Sequence, residues 1–359
     1  MRADAMGFVY PKVDMNLCVD CGLCEKVCDF SNRKPLTVPK NFTLPCHAAR
    51  HGDETVLARS QSGGAFTALS EIVLENGGVV YGAGFNKDFS VSHRRATTSE
   101  ERDAMRGSKY VQSDLSGVFS QVKSDLESGS TVMFTGTPCQ VAGLKAFLPK
   151  KLHSALLTVD FVCHGVPSPA VWKEYVELRT RGKDVIKADF RDKEACGWRM
   201  SKESFMDSSG RKYVYDTYTD LFDRNIMLRE SCHACPYNII NRESDVVIAD
   251  FWGIGRVIPE LYDDKGTSML ICRTSKGEEL YESAKVHMQI KDVQLEYEFM
   301  NRYNHALIAP FLPHKDKRMF EEEFIRKGFL RVARRWGNMG WRFKAWKLKV
   351  FVKKMIGVR

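Results

Sequence analysis

Four cysteines near the N-terminus have the spacing of an iron–sulfur site. They form a C-x2-C-x2-C-x3-C run made of Cys18, Cys21, Cys24 and Cys28. Thiolates at this spacing can bind different corners of one 4Fe–4S cluster. A zinc site would ordinarily separate two C-x2-C pairs by a longer loop. The run therefore predicts a 4Fe–4S cluster in the N-terminal segment.

This run is typical of one half of a two-cluster ferredoxin. In such proteins the fourth cysteine binds the other cluster, whose remaining ligands come from a second run of the same kind. The sequence has no second run, and Asp29 stands where proline usually follows the last cysteine. We therefore expect a labile cluster that Cys28 closes with difficulty, in a chain that is short at its N-terminus or has lost the other half.

Four further cysteines stand at turns: Cys139, Cys163, Cys232 and Cys235. Strand ends and helix starts converge on one edge of an α/β sheet, so three remote segments can supply one four-thiolate site. Spacing alone leaves three alternatives open for this site, namely an iron–sulfur cluster, zinc, or no metal. Three more cysteines lack partners at metal-binding spacing and are expected to be ordinary small apolar residues: Cys46, Cys196 and Cys272.

Repeated strand, glycine turn and helix patterns must position these residues. Apolar runs predict strands at residues 79–81, 131–134, 156–162, 185–190, 246–248 and 269–272, with helices after residue 64 and near 140–148, 169–181 and 278–285. The alternation predicts an α/β core. We expect an N-terminal half-ferredoxin segment (1–45, with linker composition at 31–45), a mixed-sheet core that binds flavin (46–314) and a basic helical tail (315–359).

The positive charge of the chain is concentrated in this tail. The net charge is +9, and residues 315–359 hold 15 Lys or Arg against 4 Asp or Glu, which leaves 39 basic against 41 acidic residues before them. The near-neutral body argues against nucleic-acid binding. Aromatic residues at 336, 341, 343, 346 and 351 interleave the basic ones, as on helices that bind an anionic membrane or an acidic partner. The alternative is a terminal helix packed on its own domain.

Eight ordered motifs carry a family resemblance: QSGGAFTAL, YGAGF, RGSKYVQSDL, FTGTPCQVAGLKAFL, VDFVCHGVPSP, FRDKEACGW, SCHACPY and SDVVIADFWG. Together they resemble the coenzyme F420 hydrogenase/dehydrogenase β-subunit family, up to about residue 274. Members of that family are iron–sulfur flavoproteins that carry FAD beside a cluster. The resemblance therefore implies FAD and one or two 4Fe–4S clusters here, one of them bound by the four core cysteines.

The same motifs imply a set of FAD-binding residues: Ser62, Gly63, Gly64, Lys109, Gly136, Thr137, Pro138 and Asp250. The helix that starts after residue 64 offers free backbone N–H groups and a positive dipole end to a pyrophosphate. Lys109 would neutralise phosphate or flavin charge, the 136–138 turn would approach the flavin ring, and Asp250 would bond a hydroxyl. A plain helix cap, a solvated lysine and a structural ion-pair cluster at 191–193 are the alternatives.

His164 is the candidate catalytic residue. It directly follows Cys163, and its unperturbed pKa of roughly 6.5 suits proton transfer to a flavin or hydrogen bonding near a cluster. A purely structural histidine is the alternative.

These features favour an oxidoreductase in which clusters and FAD exchange electrons and FAD exchanges a hydride with a small-molecule substrate. The electron donor would be a ferredoxin or a partner redox subunit. The alternative is a non-catalytic electron-transfer or scaffold subunit, for example in exopolysaccharide biosynthesis. Because the sequence has no run of about 20 apolar residues and no apolar N-terminal segment, we expect a cytoplasmic protein, peripheral at the inner membrane surface if the tail binds lipid.

Overall fold

The computed structural model describes residues 1–26, 28 and 39–340. These residues form thirteen strands: β1 (Arg2–Ala3), β2 (Val9–Tyr10), β3 (Thr43–His51), β4 (Val79–Phe85), β5 (Val91–Ala96), β6 (Val132–Gly136), β7 (Leu156–Phe161), β8 (Val185–Asp189), β9 (Glu203–Asp207), β10 (Lys212–Tyr215), β11 (Val246–Asp250), β12 (Ser268–Cys272) and β13 (Met288–Glu296). They also form thirteen α-helices: α1 (Leu23–Lys26), α2 (Glu54–Arg59), α3 (Ala65–Glu75), α4 (Ser99–Asp103), α5 (Val118–Glu127), α6 (Pro138–Phe147), α7 (Pro169–Thr180), α8 (Lys193–Cys196), α9 (Thr217–Asp223), α10 (Ser275–Ala284), α11 (Tyr297–Tyr303), α12 (Lys317–Lys327) and α13 (Phe329–Arg335).

An eight-stranded mixed sheet forms the centre of the fold, in the order β13-β3-β12-β11-β7-β6-β4-β5. Strands β11, β7, β6 and β4 run parallel to one another. On one side of these strands, β5 pairs antiparallel with β4. On the other side, β12 pairs with β11, β3 with β12 and β13 with β3, all antiparallel. The mixed-sheet α/β core predicted from the sequence is confirmed.

Successive residues of the central strands pack against helices on opposite faces of the sheet, as the two-residue period of a strand requires. Val80 packs on one face with Leu69 of α3 and Leu280 of α10. Tyr81 packs on the other face with α5, for example with Val122. Both faces of the parallel strands are therefore buried, which is the usual situation of a parallel sheet.

Of the eight strands of the central sheet, β3, β5 and β13 are not predicted by the sequence pattern. Residues 31–38 of the expected linker lie outside the described residues, but residues 43–45 belong to β3. Because β3 pairs with β12 on one side and β13 on the other, sheet pairing rather than local propensity makes it a strand. The strand predicted at 185–190 forms as β8, in a separate three-stranded sheet of order β10-β9-β8.

The N-terminal segment packs on the core through the ribbon of β1 and β2. Met6 and Phe8 are buried in a large aromatic cluster. The carbonyl oxygen of Met6 accepts hydrogen bonds from Ser168 Oγ (2.5 Å) and from the Ala170 N–H (3.1 Å). These bonds attach the segment to the start of α7. The division into 1–45, 46–314 and 315–359 stays a prediction, and β3 crosses the first of its boundaries.

The helices α12 and α13 belong to the same aromatic cluster. Phe320, Phe324, Phe329 and Val332 are buried there, beside Tyr175 of α7. Residues 317–335 therefore form terminal helices packed on the core, which is the alternative to a membrane-binding tail. The aromatic residues at 341, 343, 346 and 351 lie outside the described residues, so membrane binding stays a prediction for that part. None of the described helices combines the length and the apolar composition that crossing a membrane requires.

The packing of α13 yields a prediction about stability. Phe329 is 2% exposed, whereas the next residue, Leu330, is 38% exposed. Phe329→Ala should lower the free energy of unfolding by about 3–5 kcal/mol, because it opens a cavity in the aromatic cluster. Leu330→Ala, the matched control, should cost less than about 1 kcal/mol. Denaturant unfolding followed by circular dichroism measures both, and equal losses would contradict this packing of α13.

Candidate functional site

A cavity of about 1870 Å³ opens where the parallel strands end. Its wall includes the last residues of β6 and β11 and the residues that follow β7. In open α/β sheets, ligands bind at the carboxyl ends of the strands. Drug-sized ligands usually occupy pockets of about 300–1000 Å³, so this cavity is large enough for a dinucleotide.

The four core cysteines lie in the wall of this cavity: Cys139, Cys163, Cys232 and Cys235. Cys139 is in the first turn of α6, Cys163 follows β7, and the C-x2-C pair lies at a short 3-10 turn, Glu230–Ala234. Burial raises the pKa of the Cys163 thiol well above its usual value, and the other three thiols raise it further. The four sulfurs are thus near enough to interact electrostatically, although they come from three remote segments.

The separation of these sulfurs differs from that of four thiolates bound to one zinc ion. Four thiolates on one zinc lie about 3.8 Å apart, because each Zn–S bond is about 2.3 Å long and the geometry is tetrahedral. Among the described residues, the one set of three Cys, His, Asp or Glu ligand atoms within 4.8 Å of one another lies elsewhere in the molecule. No three of the core thiols thus lie within 4.8 Å of one another, and the assignment of the site to a 4Fe–4S cluster stays a prediction.

Hydrogen bonds orient the sulfurs. The Val166 N–H donates to Cys232 Sγ (3.4 Å), and Thr137 Oγ1 lies 3.1 Å from Cys139 Sγ. Such partners hold ligand side chains in place and stabilise thiolate charge. His164 also lies in the cavity wall, with its Nε2 2.5 Å from Asn225 Oδ1 and its ring stacked on Phe311. Burial lowers the pKa of His164, so it is neutral at pH 7.

The N-terminus of α3 opens into the cavity. Gly64, with φ +89°, caps this 11-residue helix and lines the cavity together with Ser62. Arg106, which sequence reasoning missed although it begins the RGSKY motif, donates from Nε to Thr67 Oγ1 (3.0 Å) in the first turn. Gly63 lies behind the wall, where a Cβ would be 2.1 Å from the carbonyl oxygen of Ala49. A side chain at position 63 would therefore disturb β3 before it met any ligand.

Lys109, Gly136 and Thr137 also line the cavity, whereas Pro138 is buried at the first position of α6. The Lys109 ammonium donates to three backbone carbonyls, including those of Met105 (2.7 Å) and Arg106 (2.6 Å). Burial lowers the pKa of Lys109 to about 7. Its charge therefore changes near neutral pH in this cavity.

Two residues of the cavity wall carry unpaired polar atoms. Ser60 Oγ and Thr135 Oγ1 are shielded from solvent and have no hydrogen-bond partner within the described part of the chain, and both residues line the cavity. A Cβ at Gly107 or Gly117 would meet no atom within 4 Å, so the backbone leaves open space at two more lining positions. Buried polar groups normally have partners. The cavity wall thus contains polar groups and open backbone positions, and FAD binding stays a prediction.

Asp250 is engaged in a buried network at the cavity wall. Its carboxylate accepts hydrogen bonds from Arg191 Nη1 (2.5 Å) and from Trp198 Nε1 (2.7 Å). Trp198 stacks on Trp252, and the Arg191 guanidinium lies over the Trp252 ring. Arg191 therefore pairs with Asp250, and Asp192 pairs with Lys212, so the ion pairs of the 191–193 segment are made with residues outside it. Binding of a ligand hydroxyl by Asp250 stays a prediction.

The N-terminal cysteines divide between surface and cavity. Cys18, Cys21 and Cys24 are exposed. Cys28 lines the cavity that the core cysteines share. The run thus reaches from the protein surface towards the core thiols.

The buried ion pair yields a second stability prediction. The Arg191 side chain is 1% exposed, so Asp250→Asn should leave an uncompensated buried charge and cost about 3–5 kcal/mol. The matched control is Glu54→Gln, which breaks the exposed pair with Lys265 and should cost about 0–1 kcal/mol. Denaturant unfolding at pH 7 measures both losses. A cost for Asp250→Asn as small as that of the control would show that the network does not support the fold.

Comparisons with known proteins agree with this architecture. A solved chain from the F420-reducing NiFe hydrogenase complex of Methanosarcina barkeri, a xenon-derivatised structure, is 20% identical with a TM-score of 0.53. The match covers 80% of this chain and 95% of that chain, and shows a shared fold. No curated protein matches the chain significantly.

Two family models match the sequence and together cover more than half of it. The coenzyme F420 hydrogenase/dehydrogenase β-subunit N-terminal model matches residues 46–120, and the C-terminal model of the same subunit matches residues 129–296. The matched residues include the strands and turns that form the cavity wall. The chain therefore belongs to the coenzyme F420 hydrogenase/dehydrogenase β-subunit family.

Proposed function

We propose that this redox subunit is an iron–sulfur flavoprotein that passes electrons between 4Fe–4S clusters and FAD. The observation that carries the proposal is the meeting of four thiols from three remote segments in the wall of one dinucleotide-sized cavity. Membership of a hydrogenase/dehydrogenase family supports an oxidoreductase role. FAD can exchange single electrons with a cluster and a hydride with a substrate.

Different residues of this chain would bind different parts of FAD. The start of α3 offers its free N–H groups and the nearby Arg106 guanidinium to a pyrophosphate. Lys109 supplies a further positive charge, and Gly136 lets the backbone approach the ring. His164 is held neutral by burial beside Cys163 and would position a proton near the cluster and the flavin. Its role as the catalytic residue belongs to this proposal.

The N-terminal cysteines would be the electron entry point. Three of them are exposed to a donor, and Cys28 lines the cavity, so the segment connects the surface with the interior. A ferredoxin or another redox subunit would be the donor. The substrate would be a small molecule that accepts or donates a hydride, and the deazaflavin in the family's name is the first one to test.

A second candidate function is that of an electron-transfer or scaffold subunit without its own substrate. Exposed apolar residues are close in sequence to the exposed cysteines: Met15 (77% exposed), Leu17 (80%) and Val19 (82%). Exposed apolar side chains in such proximity often mark a contact with another protein. In this alternative the flavin would serve the partner enzyme, and the purified chain alone would turn over no hydride acceptor.

The assignment of the two cysteine groups is tested by counting iron. After anaerobic reconstitution, the Cys232→Ser/Cys235→Ser variant should lose about four irons that resist mild chelation, because half of the core ligands are gone. The Cys18→Ser/Cys21→Ser variant should lose only iron that chelators remove easily. Cys196→Ser changes a half-buried thiol outside both groups and serves as the control. Iron, sulfide and zinc analysis gives the result.

Two results would contradict this assignment. One is a core-cysteine variant that keeps all of its iron. The other is a robust metal that proves to be zinc, which would require the four sulfurs to draw together around one ion. Each result would show that the core cysteines do not bind a 4Fe–4S cluster.

FAD binding should depend on pH in a direction set by Lys109. Because its pKa is lowered to about 7, Lys109 is charged at pH 6 and mostly neutral at pH 8. Anionic FAD should therefore bind several-fold more tightly at pH 6. Flavin fluorescence during titration of the anaerobic protein measures the affinity.

Two variants separate the groups that titrate in this range. Burial raises the pKa of Asp223, which also lines the cavity, to about 6, and its deprotonation weakens anion binding in the same direction. Lys109→Arg keeps a positive charge across this range and should remove most of the pH dependence of FAD affinity. Asp223→Asn should remove only the smaller part that Asp223 contributes. A full slope in Lys109→Arg would show that Lys109 does not contact FAD. No FAD binding by the wild-type chain at any pH would refute the flavoprotein itself.

A further inference from the structure

The fold brings three possible metal ligands together away from the cavity. They are His47 in β3, Cys272 at the end of β12 and Glu278 in the first turn of α10. Their ligand atoms all lie within 4.8 Å of one another, and within the described part of the chain this is the one set of three that does. None of the three lines the cavity described above.

Sheet register explains why the first two residues meet. In the β3–β12 pair His47 lies opposite Leu270, and Cys272 is two residues farther along β12, hence on the same face of the sheet. The turn from β12 into α10 then brings the start of the helix back over Cys272. The Cys272 thiol lies 3.6 Å from the Gly277 carbonyl oxygen, and Glu278 is the next residue.

The imidazole of His47 is oriented as metal-binding histidines are. Asp292 lies opposite His47 in the β3–β13 pair, and its carboxylate is 2.7 Å from His47 Nδ1. The Tyr281 hydroxyl lies 3.0 Å from the same Nδ1. Because a carboxylate can only accept, Nδ1 carries the proton in the bond to Asp292, which leaves Nε2 with a lone pair that could bind a metal. The ring also stacks on Tyr281 of α10, with a centroid distance of 4.1 Å. A carboxylate on the far nitrogen and a packed ring fix the ligand before any ion arrives.

The donor set and its charge select the metal. One imidazole nitrogen, one thiolate and one carboxylate are all zinc ligands, and a water can occupy the fourth tetrahedral position. Glu278 and Glu282 place negative charge next to Cys272, which a divalent cation would offset. Glu278 is exposed and Cys272 is half-buried, so an ion can enter from solvent. We propose that His47, Cys272 and Glu278 bind one Zn²⁺ that joins α10 to the sheet.

The test uses the anaerobically reconstituted full-length chain with its clusters and flavin. After incubation with a small excess of Zn²⁺ and desalting, wild type should retain about one zinc per chain at this site. Glu278→Gln and Cys272→Ser should each lower zinc retention at least tenfold. Glu279→Gln, at the adjacent residue of α10, and Cys196→Ser are the matched controls and should retain the wild-type amount. Mass spectrometry of the metals gives the counts, and iron and flavin should not change.

A second measurement identifies the ligands of the bound zinc. Zinc X-ray absorption should show one sulfur and a remainder of nitrogen and oxygen. Zinc should also raise the melting temperature of wild type but not that of Glu278→Gln, because only a folded chain with the full site binds it. An all-sulfur shell would place the zinc at the other cysteines and overturn the proposal. Unchanged zinc in both Glu278→Gln and Cys272→Ser would overturn it as well, whatever the outcome for the clusters and FAD.

Discussion

The common end of four parallel strands is the constraint on which the candidate site depends. Because β4, β6, β7 and β11 share one direction, the turns that leave them meet at one edge of the sheet. The turn after β6 leads to Cys139, β7 leads to Cys163, and β11 ends at Asp250. The fold thus needs no long loop to gather a thiol, a second thiol and an acidic group around one cavity.

The C-x2-C pair reaches the same place by a different route. It is not at a strand end but in a 3-10 turn, and short backbone pairings attach that turn to the segment after Cys163. Pro167 and Leu228 form an isolated β-bridge, and the Arg229 N–H donates to the Val166 carbonyl oxygen (2.8 Å). Since Val166 also donates to Cys232 Sγ, the segment that carries the Cys163 thiol also positions the Cys232 thiol. In this fold, the pairing of residues 166–167 with residues 228–229 brings the C-x2-C pair to the edge of the sheet.

The sequence predicts the parts of this arrangement that are local. The apolar runs before Cys139 and Cys163, each closed by a turn, are sufficient to place β6 and β7 and hence two of the four thiols. It could not predict β3, because Pro45 and the mixed polarity around it give no strand pattern and only pairing on both sides makes it one. His47 remained hidden for the same reason, since its neighbours Cys272 and Asp292 lie more than 200 residues away in sequence. The basic composition of the last segment likewise concealed that Phe324 and Phe329 are core residues.

Arg229 shows that the core cysteines are not structurally independent of the N-terminal segment, although counting thiolates suggests that the core group is complete without it. Its guanidinium lies over the Tyr10 ring at 3.9 Å, and its Nη1 donates to the Val9 carbonyl oxygen (3.2 Å). Arg229 immediately precedes the turn that carries Cys232, and Tyr10 belongs to the ribbon that leads to the N-terminal cysteine run. A cation held over an aromatic face and hydrogen bonded contributes about 0.5–2 kcal/mol. Through Arg229 the N-terminal ribbon contacts the turn that carries Cys232, so the N-terminal segment both carries its own cysteines and supports the position of two core thiols.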